Sequence, residues 1–204
     1  MYRERSLRQL AHQLGFSYDP GDAYGLAGQL ADFRLFSTGR KRQISHLLRR
    51  QDGLMDFDIN LFDYQYTPYG ASKDKAVHQT VFFLQSARLG LPGLRLEPET
   101  LLHKMGELFG MQDIDFVRFP KFSGQYRLTG DDEEYIRHHF TDEVLNYFTL
   151  RKGWTVEGLG FYLLVYKKGL LLPPGQIESL YRRGTEIYGL LTDEEAQRAI
   201  FGHP

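Results

Sequence analysis

The chain has no cysteine, which excludes disulfides, thiolate metal sites and cysteine nucleophiles at once. It has no apolar run near the roughly 20 residues that a membrane span requires, and Met1 to Leu10 lack the apolar core of a signal peptide. A soluble, cytoplasmic protein is the expectation. It also has little net charge: 25 basic and 26 acidic side chains leave −1 at pH 7. A general affinity for nucleic acid rests on neutralising phosphates, so none is expected. No G-x-S-x-G elbow, Walker loop or dinucleotide fingerprint occurs; Gly158-Leu159-Gly160 lacks the third glycine and opens a strand where a helix is needed. No cofactor is implied. These absences lean away from an enzyme without excluding one, because catalytic groups converge from distant positions without any motif.

What is present is an uneven charge distribution and a strong strand pattern. Residues 1–50 carry nine Arg and Lys against Glu4, Asp19, Asp22 and Asp32. That excess would favour weak contact with an anionic surface or an acidic partner. At 204 residues and 42% hydrophobic content the chain can build one substantial core, and no polar linker divides it, so residues 1–204 read as a single globular domain.

The stretch from Gln51 to Ala87 organises the rest. Met55, Phe57, Ile59 and Leu61 alternate with Asp56, Asp58 and Asn60, the period-two pattern of a strand with one buried face. From Phe62 the phase flips, with Phe62, Tyr64 and Tyr66 alternating with Asp63 and Gln65. A bulge near Leu61 and Phe62 would absorb the slip; cover on both faces would make it unnecessary. Val81, Phe82, Phe83 and Leu84 form an unbroken apolar run that suits a central strand buried on both faces. Pro68 to Lys75 reads as a surface loop between the two strands.

Around this hairpin, Leu7, Leu10, Ala11 and Leu14 mark an opening helix, and Asp22 is placed to cap a brief one over Ala23 to Leu30. Phe33 to Phe36 reads as a strand, as does Gln43 to Arg50 with Ile44, His46 and Leu48 on one face. Asp52-Gly53 suggests a tight hairpin turn into the Met55 strand. Leu94 to Glu97 is extended; Pro98 opens a helix striped with Leu101, Leu102, Met105, Leu108 and Phe109. Ile114 to Phe122 reads as irregular extended chain broken by Pro120, followed by a strand from Gln125 to Thr129. Asp131 is placed to cap a helix buried through Ile136, Phe140, Val144, Tyr147 and Phe148, with a break at Thr141 into two shorter helices as the alternative. Strands at Trp154 to Glu157 and Phe161 to Lys167 precede a long helix from Pro173, with Gly184 on its buried face. Glycine there costs about 1 kcal/mol of helix propensity, so close helix–sheet contact is expected. Thr192 and Glu195 fit a capping box for a last helix to Ile200. The sum is an α+β fold, a mainly antiparallel mixed sheet of about seven strands with helices packed against it.

Candidate chemistry is thin. Asp56, Asp58 and Asn60 match the opening of a calcium loop, but its sixth position is Leu61 and its twelfth Thr67, where glycine and glutamate are required. His138 and His139 are adjacent on a helix, so their side chains diverge by about 100° and do not chelate one metal. His46 and His78 lie on neighbouring predicted strands without further support. No metal site is therefore expected. The aromatics Tyr64, Tyr66 and Tyr69 near the strand end, with Lys73 in the loop, are the candidate binding residues; the simpler reading of such aromatics is core and rim.

The segments LFDYQY (61–66), LPGLRLEPE (91–99), DIDF with FPKFSGQYRLTGDDEEYIRHHF (113–140) and VEGLGFYLLVY (156–166) resemble a bacterial protein family built on a domain of unknown function. The resemblance covers most of the chain and implies no activity, ligand or site residue. In that family a similar domain often follows an N-terminal membrane helix; no such helix stands in this sequence, so the resemblance gives no ground for expecting membrane attachment. The functional expectation is a non-catalytic binding or scaffold domain with a protein partner. The alternatives are a metal-assisted hydrolase using Asp56, Asp58 and Asp63, or a protein that binds an apolar small molecule between sheet and helices.

Overall fold

The computed structural model describes residues 2–53, 57–71, 75–99 and 113–192. In chain order these form α1 (Tyr2–Leu14), β1 (Ser17–Asp19), α2 (Leu26–Gln29), α3 (Arg34–Ser37), β2 (Arg40–Asp52), β3 (Phe57–Thr67), β4 (Val77–Ser86), β5 (Leu91–Pro98), α4 (Pro120–Ser123), β6 (Tyr126–Gly130), α5 (Glu133–His139), α6 (Asp142–Leu150), β7 (Thr155–Gly160), β8 (Tyr162–Tyr166) and α7 (Ile177–Leu191), the last entered through a 3₁₀ turn at Pro174–Gln176. The strands make one sheet in the order β1-β2-β3-β4-β8-β7-β5-β6, and every pairing is antiparallel. The protein is thus α+β, as expected, with eight strands among the described residues. The predicted helix after Pro98 and the terminal helix after Thr192 lie outside the described residues.

Both faces of the sheet are covered, which explains the pattern in β3. Ile59, Leu61, Phe82, Leu84, Leu163 and Val165 face a core shared with α1 and α4 to α7, while Phe62, Tyr64, Tyr66, Val81, Phe83, Leu164 and Tyr166 face a second core under α2 and α3. The phase flip at Phe62 marks where the apolar cover passes from one face to the other. No bulge is needed in β3, and its register against β4 runs unbroken from Phe57 to Tyr66.

The irregularities fall instead on β2, with register shifts between Arg40 and Gln43 and between Ser45 and Leu48. Each holds a non-glycine residue at positive φ, Lys41 at 52° and His46 at 54°, the left-handed region that side chains ordinarily avoid. The extra residue at His46 corrects the predicted single face: Ile44 and Leu47 enter the second core, Leu48 the first. The Asp52-Gly53 turn is also longer than predicted, since Asp52 pairs with Phe57.

Phe33 to Phe36 is one helical turn rather than a strand, because the Glu157 carboxylate accepts the amides of Arg34 and Leu35 and fixes a helical start. Phe119 leads into a second such turn from Pro120, whose fixed φ suits a first helical position. Asp22 accepts from the amides of Leu26 and Ala27, but α2 starts at Leu26 with Gly25 at its N-cap, three residues later than expected. The cap of α5 is Asp132, one residue beyond the expected Asp131, and Thr141 caps α6, so two shorter helices, the alternative reading, replace the single one.

Gly184 of α7 lies against Phe82 on β4, and a Cβ there would overlap the ring. Gly184→Ala therefore sets a gain in helix propensity of about 1 kcal/mol against core overpacking of about 1 to 3 kcal/mol. A net loss of up to about 2 kcal/mol in urea unfolding is expected, and it should shrink when Phe82→Leu makes room in the double variant.

Candidate functional site

The carboxylates singled out from the sequence are occupied within the fold. Asp63 on β3 faces α1, where Arg3 embraces it through Nε and Nη2, both at 2.6 Å. The Thr80 hydroxyl donates to the same carboxylate at 3.1 Å. Asp58 points to the opposite face and pairs with Arg49 at 2.5 Å, while the amides of Gln51 and Asn60 donate to it. Asp58 and Asp63 therefore do not share a strand face, and Asp56 lies outside the described residues. The odd and even positions of a strand diverge, which is why an acidic face spanning the phase flip does not form. His46 and His78 are held apart by β3; the His46 ring instead contacts the Tyr18 hydroxyl at 2.7 Å.

A third charge cluster is buried. Glu157 on β7 is 3% exposed and accepts from Arg95 Nη1 at 2.5 Å, from the Tyr166 hydroxyl at 2.7 Å and from the two α3 amides. Arg95 on β5 also bonds Glu97 at 3.0 Å. Burial opposes the Arg95 charge, but Tyr166, Glu157 and Glu97 outweigh it and push its pKa up. This cluster fastens α3 to the sheet. Glu157→Gln leaves Arg95 with Glu97 as its remaining countercharge and should cost about 1.5 to 3 kcal/mol of unfolding free energy in urea, the worth of hydrogen bonds to a charged group. Glu178→Gln, at an exposed helical pair, should cost less than about 0.5 kcal/mol.

The candidate binding aromatics divide sharply. Tyr64 and Tyr66 are 1% and 3% exposed, packed against each other and against Phe36, with the Phe36 and Tyr64 ring centroids 4.5 Å apart. They are core. Tyr69 is 71% exposed, and Lys73 lies outside the described residues. Burial raises the phenol pKa of Tyr64, Tyr66 and Tyr166 above the ordinary value. A phenol raised in the fold stays protonated where its unfolded counterpart ionises, so stability is full below about pH 10 and falls above it. The urea midpoint should hold up to about pH 10 and drop as the pH rises further toward about 12, and less so in Tyr64→Phe.

Tyr69 belongs to a surface that the sequence did not assemble. Tyr66 pairs with Val77 and Thr67 with Arg40, and Arg40 donates to the Ala71 carbonyl at 3.2 Å, which sets Tyr69 close to the start of β2. The Thr80 amide donates to Leu170 O and the Leu172 amide to Thr80 Oγ1, both at 3.0 Å. Arg3 Nη1 donates to Leu172 O at 2.7 Å, placing the start of α1 next to the same segment. This loop-bearing end thus gathers Tyr2, Tyr69, Leu170 and Leu171, which are 83%, 71%, 42% and 39% exposed. Arg40, Lys41, Lys75 and Lys168, all exposed, surround them. The nearby carboxylates Glu4, Asp63 and Glu178 are each in ion pairs with arginine. The missed signal was Leu170-Leu171-Leu172 followed by two prolines, a leucine run that fits neither a strand nor the following helix.

An open groove of about 680 Å³ lies elsewhere, between the Asp115–Phe119 turn and the α5–α6 corner, floored by Phe116, Phe119, Phe140 and Leu145. No strand residue lines it, so it is not the expected pocket between sheet and helices. Among the described residues no group of three or more His, Asp or Glu side chains is placed to hold a metal ion, and no helix is long and apolar enough to cross a membrane.

No protein-family model matches the sequence, and neither does any curated protein. In fold, the chain is similar to the crystal structure of the mycobacterial trehalose monomycolate transport factor A, TtfA, with a TM-score of 0.60 over 98% of this chain and 97% of that one. At 11% identity the likeness is one of architecture: a single antiparallel sheet with helices laid on it.

Proposed function

We propose that the chain is a non-catalytic binding domain of the bacterial cytoplasm, docking through the loop-bearing end of its sheet. The observation that carries this reading is the gathering there of four exposed apolar side chains among exposed cations, while of the carboxylates nearby Asp63 is held in a part-buried ion pair and Glu4 and Glu178 are in surface pairs with arginine. Exposed leucines and tyrosines grouped at one end of a protein are characteristic of contact surfaces. The metal-assisted hydrolase has less support, since Asp58 and Asp63 point to opposite faces and each is tied to an arginine. TtfA, named as a transport factor, offers the same architecture in a role of transport, which supports a binding reading over a catalytic one.

The reading requires that these side chains be displayed rather than used to hold the fold. The triple variant Tyr69→Ser, Leu170→Ser, Leu171→Ser should melt within about 4 °C of the parent, as expected for surface positions in a chain of this size. A fall of more than about 10 °C would make them structural and remove the docking surface. In the same melts, a rise in midpoint with Mn²⁺ or Zn²⁺ over EDTA would favour the hydrolase, because a ligand of the folded state stabilises it.

A further inference from the structure

We infer that the partner of this end is an anionic lipid bilayer surface; the inference rests on the docking surface proposed above and names what it meets. Three features select a bilayer over an acidic protein. The first is the kind of apolar group displayed. Tyr2 and Tyr69 carry a hydroxyl on an apolar ring, the amphipathic form that settles at a membrane interface, and Leu170 and Leu171 add purely apolar tips.

The second is their setting. The four side chains come from three separate segments: the start of α1 and the stretch before α7, joined through Arg3 and the Leu172 carbonyl, and the chain after β3, which Arg40 holds through the Ala71 carbonyl. Neither the groove beside α5 and α6 nor the one at Arg49 and Phe57 is lined by any of them. A fluid interface accepts separated tips without a matching shape.

The third is charge. Arg40, Lys41, Lys75 and Lys168 are exposed around the tips, and Arg3, the cation that is tied down, is spent on Asp63. A chain of net charge −1 gains from such a local excess only against a negative surface close enough to escape screening, within about 8 Å at physiological salt. Lys168 precedes the leucines by two and three residues, so cation and anchor reach the interface together.

Co-flotation with vesicles tests this, using the full chain, neutral phosphatidylcholine vesicles and vesicles with about 30 mol % phosphatidylglycerol. The expected result is binding to the anionic vesicles, none to the neutral ones, and loss at high salt. Lys75→Glu with Lys168→Glu should weaken binding at least about tenfold, as should Leu170→Ser with Leu171→Ser, whereas Lys121→Glu, exposed on α4, should leave it unchanged. Absence of binding by the parent protein overturns the inference. So does equal binding by all variants. If the parent fails to bind while the serine variants keep their melting temperature, the bilayer is rejected and the docking surface is left to an acidic protein. If the serine variants unfold, the underlying reading fails instead.

Discussion

Burial of the central strands on both faces is the constraint from which the rest of the structure follows. β3, β4 and β8 lie between two hydrophobic cores, and the run Val81 to Leu84 alternates between them with no residue more than 1% exposed. Neither face can be left open, so the chain must supply a helical layer for each. α1 and α4 to α7 form one, while the two short turns α2 and α3 form the other. Gly184 shows how tightly the first layer is drawn, since the helix backbone rests on the Phe82 ring with no room for a methyl group.

Short helices bury little surface by themselves, and the second layer is held by charge as well as by packing. Glu157 reaches from β7 to the first amides of α3, with Arg95 and Tyr166 completing its hydrogen bonds. On the other face Arg3 anchors the start of α1 to Asp63 and to the Leu172 carbonyl. These ion pairs hold helices to the sheet at points where apolar contact is sparse. They also explain why acidic residues that drew notice in the sequence are not free for chemistry.

Much of the architecture was legible because it rests on local pattern. The long hairpin, the doubly buried strand and the close approach at Gly184 all follow from periodicity or from a single residue type. The misreadings have a common physical origin in long-range contact. Phe33 to Phe36 looks extended until Glu157, over 120 residues away, supplies the helix start. The flip at Phe62 looks like a bulge until both faces are known to be covered. The candidate site suffered most: Tyr64 and Tyr66 belong to the second core, and only Tyr69 stands at the surface. Its neighbours Tyr2, Leu170 and Leu171 come from both ends of the chain, and nothing in local spacing joins them.

The rims of the sheet receive different treatment. On the β6 side, the Ile114 amide donates to Leu128 O at 2.8 Å and Asp113 accepts the Leu128 amide at 2.9 Å, so irregular chain seals that border. On the β2 side, β1 pairs only from Leu47 to Arg49, and the stretch from Arg40 to Ser45 has no strand beside it among the described residues. Here the two bulges, with Lys41 and His46 forced into the left-handed region, kink the border and crowd it with positive charge. A second copy of the molecule cannot lay a straight strand along it, so the open rim is kept from seeding fibrils.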